Sequence, residues 1–569
     1  MWWAVDPHRL ELERLAIDAL DAAWFQAPEW SFGDQLRLEL TFDLVLARGT
    51  FPLRLTYHGT FPASPPSVSP ADGETRLSTH QYGPGGDLCL DIRNDNWSPD
   101  ITGADMIESA RRLLASETPD DDGAPVTAPS AHDVPMVIRL RHEVKRFYVD
   151  PIARIALMGE DIDGAAIEIG LDYRSGDGVV AHLFVIGDSD ARLQPQTPRA
   201  LKKSSFLLEG RFATVDLKSL AIGKIKTLGE LNAVVGKPIT FEEEGSYALL
   251  LRGADNLLTL IIAHGDRDDL WTYETVYAPF EAGRSGEDTS PLSTKRVGIV
   301  GLGSVGSKVA ISLARTGVRS FDLVDADIFH TGNLERHEAD WRDVGRHKAD
   351  IIEHRLRLID KHMKVRARRS AIGAQISSQE AGNINQALAA CDLLIDATGN
   401  PDVFNHLAGL ALRHNQDLVW GSVFAGGVGG EIARARLGKD PSPYDVRGAL
   451  NAYYQSAEAP PPVAAGRGYD GSVGEEAPMT ATDADVERLA GEVSALAIDT
   501  LLGTEPSLYD AHSYLIGFRR AWVFEGPFDT HPVLADAAVR QSFSPPDGAE
   551  VDSEFIRTLL EKAVDEAQD

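Results

Sequence analysis

Residues 295–327 read KRVGIVGLGSVGSKVAISLARTGVRSFDLVDAD, and their pattern decides the fold of the C-terminal half of the chain. The apolar run 297–300 suits a buried strand. Glycines at 301, 303 and 306 follow it at once, and the segment from Ser304 carries apolar residues at helical spacing. A second apolar run, 321–324, leads to Asp325, nineteen residues after Gly306. Strand, glycine turn, helix and strand open a parallel α/β unit of the Rossmann-like kind. In such a unit the turn offers backbone N–H groups to a phosphate, and the acidic residue closing the next strand meets a ribose hydroxyl. Gly301, Gly303, Gly306 and Asp325 are therefore candidate nucleotide-binding residues. The same pattern fits a dinucleotide-dependent dehydrogenase, so the motif alone leaves hydride transfer open.

Outward from this unit, 569 residues are too many for one hydrophobic core, and several domains are expected. Three stretches rich in Pro, Gly and acidic residues, 117–135, 281–294 and 456–480, interrupt the pattern. The first two read as boundaries, giving domains at 1–120, 136–285 and 290–569. The third lies between a strand-like run and a helix and reads as a long active-site loop. The first domain opens with the helical PHRLELERLAIDAL and continues with the alternating LRLELTFDLVLA and FPLRLTYHG. It closes with the helix ITGADMIESARRLLA, for which Asp100 and Thr102 are possible caps and Met106, Ala110, Leu113 and Leu114 form one face. The middle segment alternates runs such as AAIEIGLDY and LLTLIIAHG with short turns and carries no chemical motif. The expected fold is a mixed α/β and α+β multidomain protein: an α+β domain, a β-rich linker without an active site, and a Rossmann-like C-terminal domain.

Charge narrows the partners. With 86 acidic against 55 basic residues the formal charge is −31, which disfavours nucleic acid and anionic lipid. No apolar run approaches the roughly 20 residues that span a bilayer, and the N-terminal MWWAVDPHRLELERL lacks the pattern of a secretory leader, so a cytoplasmic location is expected. Two cysteines, Cys89 and Cys391, cannot build a disulfide framework or a thiolate metal site. Each is either buried filler or a working thiol. Cys391 enters an apolar strand, which marks it as buried structure.

The stretch FPASPPSVSP at 61–70, followed by STHQYGPGGDLCLDIRNDNWSPDITGADMIESARRLL at 78–114, resembles the ubiquitin-conjugating (UBC) family. A proline-rich strand exit, a histidine-led turn, a cysteine in a Cys-Leu-Asp context, a Trp-Ser-Pro element and a helix recur in the family order. The resemblance implies that Cys89 is a thioester-forming cysteine, a role that suits a good nucleophile whose acyl derivative stays reactive toward amines. The family's His-Pro-Asn turn is here His80-Gln81-Tyr82, so the asparagine credited with supporting the oxyanion is missing, and either Gln81 or Tyr82 stands in for it or the chemistry is changed. Asp120 to Asp122 follow the helix, where the family often sets an acidic group, but they read more simply as a solvated acidic linker.

Residues 325–350, DADIFHTGNLERHEADWRDVGRHKAD, resemble the ubiquitin-activating and ThiF/MoeB adenylation family. Its Asn-Leu-x-Arg and Gly-x-x-Lys elements imply that Asn333 and Arg336 face the phosphates of ATP, that Lys348 neutralises charge during adenylation, and that Asp325 holds the ribose. Adenylation needs such cations because negative charge builds on the leaving pyrophosphate. In CDLLIDATGN, at 391–400, the family's magnesium-binding aspartate is replaced by Gly399, and Asp396, three residues earlier, is the candidate metal ligand. Where activating relatives often carry a crossover-loop cysteine, this chain has Ser442, for which an oxyester is the minor alternative.

Together the halves resemble bacterial fusions of a conjugating and an activating domain, including those of CD-NTase-associated antiphage systems. The resemblance implies ATP and Mg2+ as cofactors, a ubiquitin-like protein adenylated at its C-terminus, capture on Cys89, transfer to a target amine, and homodimerisation through the adenylation domain. The alternatives are a sulfur-carrier adenylating enzyme, a non-catalytic scaffold that binds a ubiquitin-like protein, and NAD-dependent oxidation.

Overall fold

Strict apolar alternation along 38–44 forces one sheet face inward, and Leu38, Leu40, Phe42 and Leu44 are all buried. The computed structural model describes residues 1–47, 49–78, 80–82, 85–117, 144–159, 162–174, 178–187, 193–235, 245–264, 270–279, 287–372, 376–424, 427–457, 470–471, 479–536, 554, 557–558 and 561. The chain divides into two compact units, Met1–Arg141 and His142–Asp569. Asp120 to Asp122 and nearly all of the 117–135 and 456–480 stretches lie outside the described residues.

The first unit is α+β. Helix α1 (Pro7–Asp18) starts where Asp6 accepts the Arg9 N–H. Strands β1 (Phe25–Phe32), β2 (Leu38–Leu46), β3 (Gly49–Tyr57) and β4 (Ser67–Pro70) form an antiparallel meander in chain order. Helix α2 (Gly103–Ser116) is capped by Thr102 in a reciprocal box with Asp105, which decides the cap against Asp100. Its Met106, Ala110 and Leu114 are buried, while Leu113 is only partly so.

The second unit begins with seven strands: β5 (Lys145–Val149), β6 (Ala166–Arg174), β7 (Gly178–Ile186), β8 (Phe206–Thr214), β9 (Ser246–Arg252), β10 (Leu258–His264) and β11 (Leu270–Tyr277). They close into a barrel in the order β10-β11-β5-β7-β6-β8-β9, with β5 parallel to β7 and β11, and β8 parallel to β9. The barrel belongs to the same compact unit as the segment that follows. Lys361 Nζ donates to the carbonyls of Gln194 and Pro195 at 3.0 and 3.1 Å, tying the two parts together. At 287–294, expected as linker, the chain forms a 3-10 helix.

The rest of that unit is α/β. Strand β12 (Arg296–Val300) leads through the glycine turn into α3 (Ser304–Thr316) and β13 (Ser320–Val324). Then come α4 (Lys348–Ile359), β14 (Lys364–Arg368), α5 (Ser378–Ala389), β15 (Leu393–Asp396), α6 (Pro401–His414) and β16 (Asp417–Val423). These five strands are parallel in the order β14-β13-β12-β15-β16. Strand β17 (Gly429–Ala435), helix α7 (Pro443–Ser456), the two-residue pair β18 (Asp470–Gly471) and β19 (Met479–Thr480), helix α8 (Asp483–Leu502), β20 (Ser513–Gly517) and β21 (Thr530–Val533) complete it. Beyond β16 the sheet continues antiparallel through β17, β20 and β21. Helices α3, α4 and α8 bury one face of the sheet, and α5, α6 and α7 the other. Because the chain leaves β12 toward β13 and later returns to β15 on its other side, a crevice opens at the C-terminal end of β12, where ligands bind in sheets of this type.

Candidate functional site

The three glycines of the turn after β12 have separate physical jobs. Gly301 adopts φ +85°, and a β-carbon there would lie 2.7 Å from Thr398 Cγ2. At Gly306 a β-carbon would lie 1.9 Å from the Gly301 carbonyl oxygen, so glycine is what lets α3 pack against the turn. Gly303, which precedes α3 as its N-cap, has nothing within 4 Å of a built β-carbon. Open space therefore lies over the residue that begins the helix, where first-turn N–H groups attract an anion.

Leu302, between the first two glycines, is fully buried. Its N–H donates to Asp325 Oδ2 at 2.6 Å, and Asp327 N–H donates to Asp325 Oδ1 at 2.7 Å. Burial pushes the Asp325 carboxyl up, opposed by these two donors and by the charge of Lys348. Lys348 is the first residue of α4 and is 7% exposed; its Nζ meets Asp327 Oδ2 at 2.7 Å. Asp325 is thus held against the glycine turn, with the charge of Lys348 near enough to act on it. Asn333 and Arg336 are engaged differently. Asn333 Oδ1 accepts the His330 N–H at 2.9 Å and closes the 3-10 turn Thr331–Asn333, and Arg336 Nη1 donates to the Ala481 carbonyl at 2.9 Å, just before the Thr482 cap of α8.

Asp396 ends β15 and is 4% exposed. Its Oδ1 accepts from both the N–H and the hydroxyl of Thr398, and burial pushes its carboxyl up. Gly399, at φ +62°, brings no carboxylate. Among the described residues no group of three or more His, Cys, Asp or Glu is placed to hold a metal ion.

The thiols differ sharply. Cys391 is 5% exposed, its Sγ lies 3.5 Å from the Ala387 carbonyl, and burial with the nearby Asp322 charge pushes its thiol up to about 12. Cys89 is half-buried on the loop that follows β4, and its N–H donates to the His80 carbonyl at 2.7 Å. Burial raises its thiol as well, but a hydrogen bond from the Tyr82 phenol works in the opposite direction. Gln81 is 6% exposed and fully committed: its Oε1 accepts the Leu77 N–H at 2.8 Å and its Nε2 donates to the Thr75 carbonyl at 3.0 Å. Tyr82, unlike Gln81, is exposed, and it is the side chain whose hydroxyl acts on the Cys89 thiol.

Ser442 caps α7. Its Oγ donates to Asp445 Oδ2 at 2.7 Å and accepts the Asp445 N–H at 3.2 Å, an arrangement in which the hydroxyl serves the first turn of the helix.

Residues 280–440 match the ThiF family. The ThiF region thus takes in the glycine turn, Asp325, Lys348 and Asp396. An ATP-dependent ubiquitin transferase-like protein, Cap2, of Enterobacter hormaechei is 34% identical over 139 residues, 24% of this chain and 22% of that protein. The uncharacterized protein y4qC of Sinorhizobium fredii is 25% identical over 445 residues, 68% of this chain and 71% of its own length. The sulfur carrier protein ThiS adenylyltransferase of Escherichia coli is 27% identical over 142 residues, 25% of this chain and 53% of that protein. The chain spans about a fifth of the Cap2 protein it matches.

Two residues of the ThiF region escape a reading of the sequence. Lys308, in α3, is 6% exposed and meets Glu487 at 2.7 Å and Asp483 at 3.0 Å, locking α3 to the start of α8. Those partners are some 180 residues away in sequence, so no local pattern announces them. His337 directly follows Arg336, and only its adjacency to that motif could have drawn notice.

Proposed function

We propose that the chain uses ATP to adenylate the C-terminal carboxylate of a ubiquitin-like protein and receives that protein on Cys89 as a thioester for transfer to an amine. The observation that supports this reading is a glycine turn fastened to Asp325 through the Leu302 N–H, left open at Gly303, with Lys348 paired to Asp327 two residues beyond Asp325. The UBC-like pattern around Cys89 and the likeness to Cap2, an ATP-dependent ubiquitin transferase-like protein, support the second half, and the resemblance to CD-NTase-associated fusions suggests an antiphage setting. A homodimer through the ThiF region belongs to the same proposal.

In the first step a carboxylate oxygen of the partner attacks the α-phosphorus of ATP, and the bond to the bridging α–β oxygen breaks as pyrophosphate leaves. Asp325 receives the ribose while it holds Leu302, and the α3 N-terminus faces the phosphates. Lys348 exchanges Asp327 for phosphate oxygens, while Arg336 and Asn333 turn toward the same charge from the Ala481 carbonyl and the His330 N–H. Asp396 would hold magnesium, which when bound neutralises phosphate charge. In the second step the Cys89 thiolate attacks the acyl carbon, a C–S bond forms and AMP leaves; the Tyr82 phenol donates to the sulfur before attack.

The test is ATP–pyrophosphate exchange stimulated by ubiquitin-like proteins. Lys348→Ala is expected to lower it by about 10²–10³-fold, as for loss of one donor to developing charge; unchanged exchange overturns the assignment. A second reading, adenylation of a sulfur carrier, is favoured by the ThiS adenylyltransferase relative. It gives exchange and a thiocarboxylate product with no adduct on Cys89.

A further inference from the structure

The imidazole of His337 is 8% exposed and uses both nitrogens. Nδ1 lies 2.9 Å from the Ala339 backbone N, whose N–H can only donate, so Nδ1 is the unprotonated acceptor. Nε2 must then carry the ring hydrogen, and it lies 2.9 Å from the Leu302 carbonyl oxygen, to which it donates. The ring is held in one tautomer and packs against Phe329 with centroids 5.0 Å apart. Leu302 is consequently fastened three ways: side chain in the core, N–H to Asp325 and carbonyl to His337. It is also the residue whose peptide planes set the direction of Gly301 and Gly303.

We infer that His337 is a positioning residue for the phosphate turn, acting through the Leu302 carbonyl and coupling that turn to the Asn333–Arg336 segment directly before it. The inference rests on the reading that the turn binds ATP. Phosphate recognition by backbone N–H groups depends on their direction, so a turn held at one N–H only would sample orientations that do not bind. His337 itself is buried behind the turn and donates its one N–H to the protein, so its effect passes through Leu302.

Two replacements separate positioning from mere support of the fold. A glutamine can donate to Leu302 and accept from Ala339 at once, whereas alanine can do neither. ATP binding to the full chain is measured by calorimetry for wild type, His337→Ala and His337→Gln, with thermal unfolding of each protein. The expected result is a rise in Kd of about fivefold to tenfold in the alanine variant, the size of one lost hydrogen bond, with most of the loss recovered by glutamine. Unchanged ATP affinity in a folded alanine variant, or an equal loss in both variants, overturns the positioning role. A wild-type chain that binds no ATP overturns instead the reading of the turn as a nucleotide site. If alanine lowers the unfolding temperature while the remaining folded protein binds ATP as wild type does, His337 is structural only and the inference fails.

Discussion

Leu302 N–H donates to Asp325 Oδ2 at 2.6 Å, so the residue at the end of β13 holds the turn at the end of β12 before any ligand arrives. Asp325→Ala would leave that buried N–H without its acceptor, at a cost of about 1–3 kcal/mol. The expected outcome is weaker ATP binding by calorimetry, with Asp325→Asn, which retains one acceptor oxygen, falling between the alanine variant and wild type.

The glycines should fail in different ways. Gly306→Ala sets a methyl 1.9 Å from the Gly301 carbonyl oxygen, and the overpacking should cost about 1–3 kcal/mol and lower the unfolding temperature. Gly303→Ala meets no neighbouring atom and should fold normally, yet bind ATP less well because the methyl enters the space left for phosphate. Chemical unfolding and ATP titration of both variants check this contrast.

Cys89 should be the single carrier thiol. With ATP and the correct ubiquitin-like partner, wild type and Cys391→Ser are expected to form a thiol-sensitive adduct on gels run without reductant, and Cys89→Ala to form none. An adduct that persists in Cys89→Ala and is lost in Ser442→Ala would establish the oxyester route instead. Since the Tyr82 phenol lowers the Cys89 thiol against the effect of burial, Tyr82→Phe should slow alkylation of Cys89 by iodoacetamide near neutral pH.

Burial pushes His337 down to about 4 against the hydrogen bond to the Leu302 carbonyl, and the charges of Lys348, Arg355 and Lys308 add smaller pushes in the direction of burial. An unfolded histidine takes up its proton near 6.5, so between that pH and about 4 the unfolded chain binds the extra proton. Stability from this group is therefore full above pH 6.5 and falls as the pH drops toward 4, by at most about 1.4 kcal/mol per pH unit. Denaturant titrations at several pH values should show a shallower acid loss in His337→Gln than in wild type. Equal slopes would contradict the assignment.

The sequence by itself determined the elements whose signal is local. The β12–α3–β13 unit was legible because strand, glycine turn, helix and Asp325 follow one another within 33 residues, and each step has a short-range cause in periodicity, glycine conformation or capping. Thr102 was readable as a possible cap, beside Asp100, for the same reason. Only the tertiary structure decided what depends on distant partners. The middle segment announced strands, but closure of its barrel rests on pairings such as β11 with β5, which bring Val276 beside Tyr148. Gln81 is drawn to the Thr75 carbonyl across the folded loop, which no periodicity announces. His337 and Lys308 gained their roles from Leu302 and Glu487, contacts that exist only once the core has closed. A side chain's type and neighbours along the chain fix what it can donate or accept; which atom it meets is set by how the buried elements pack.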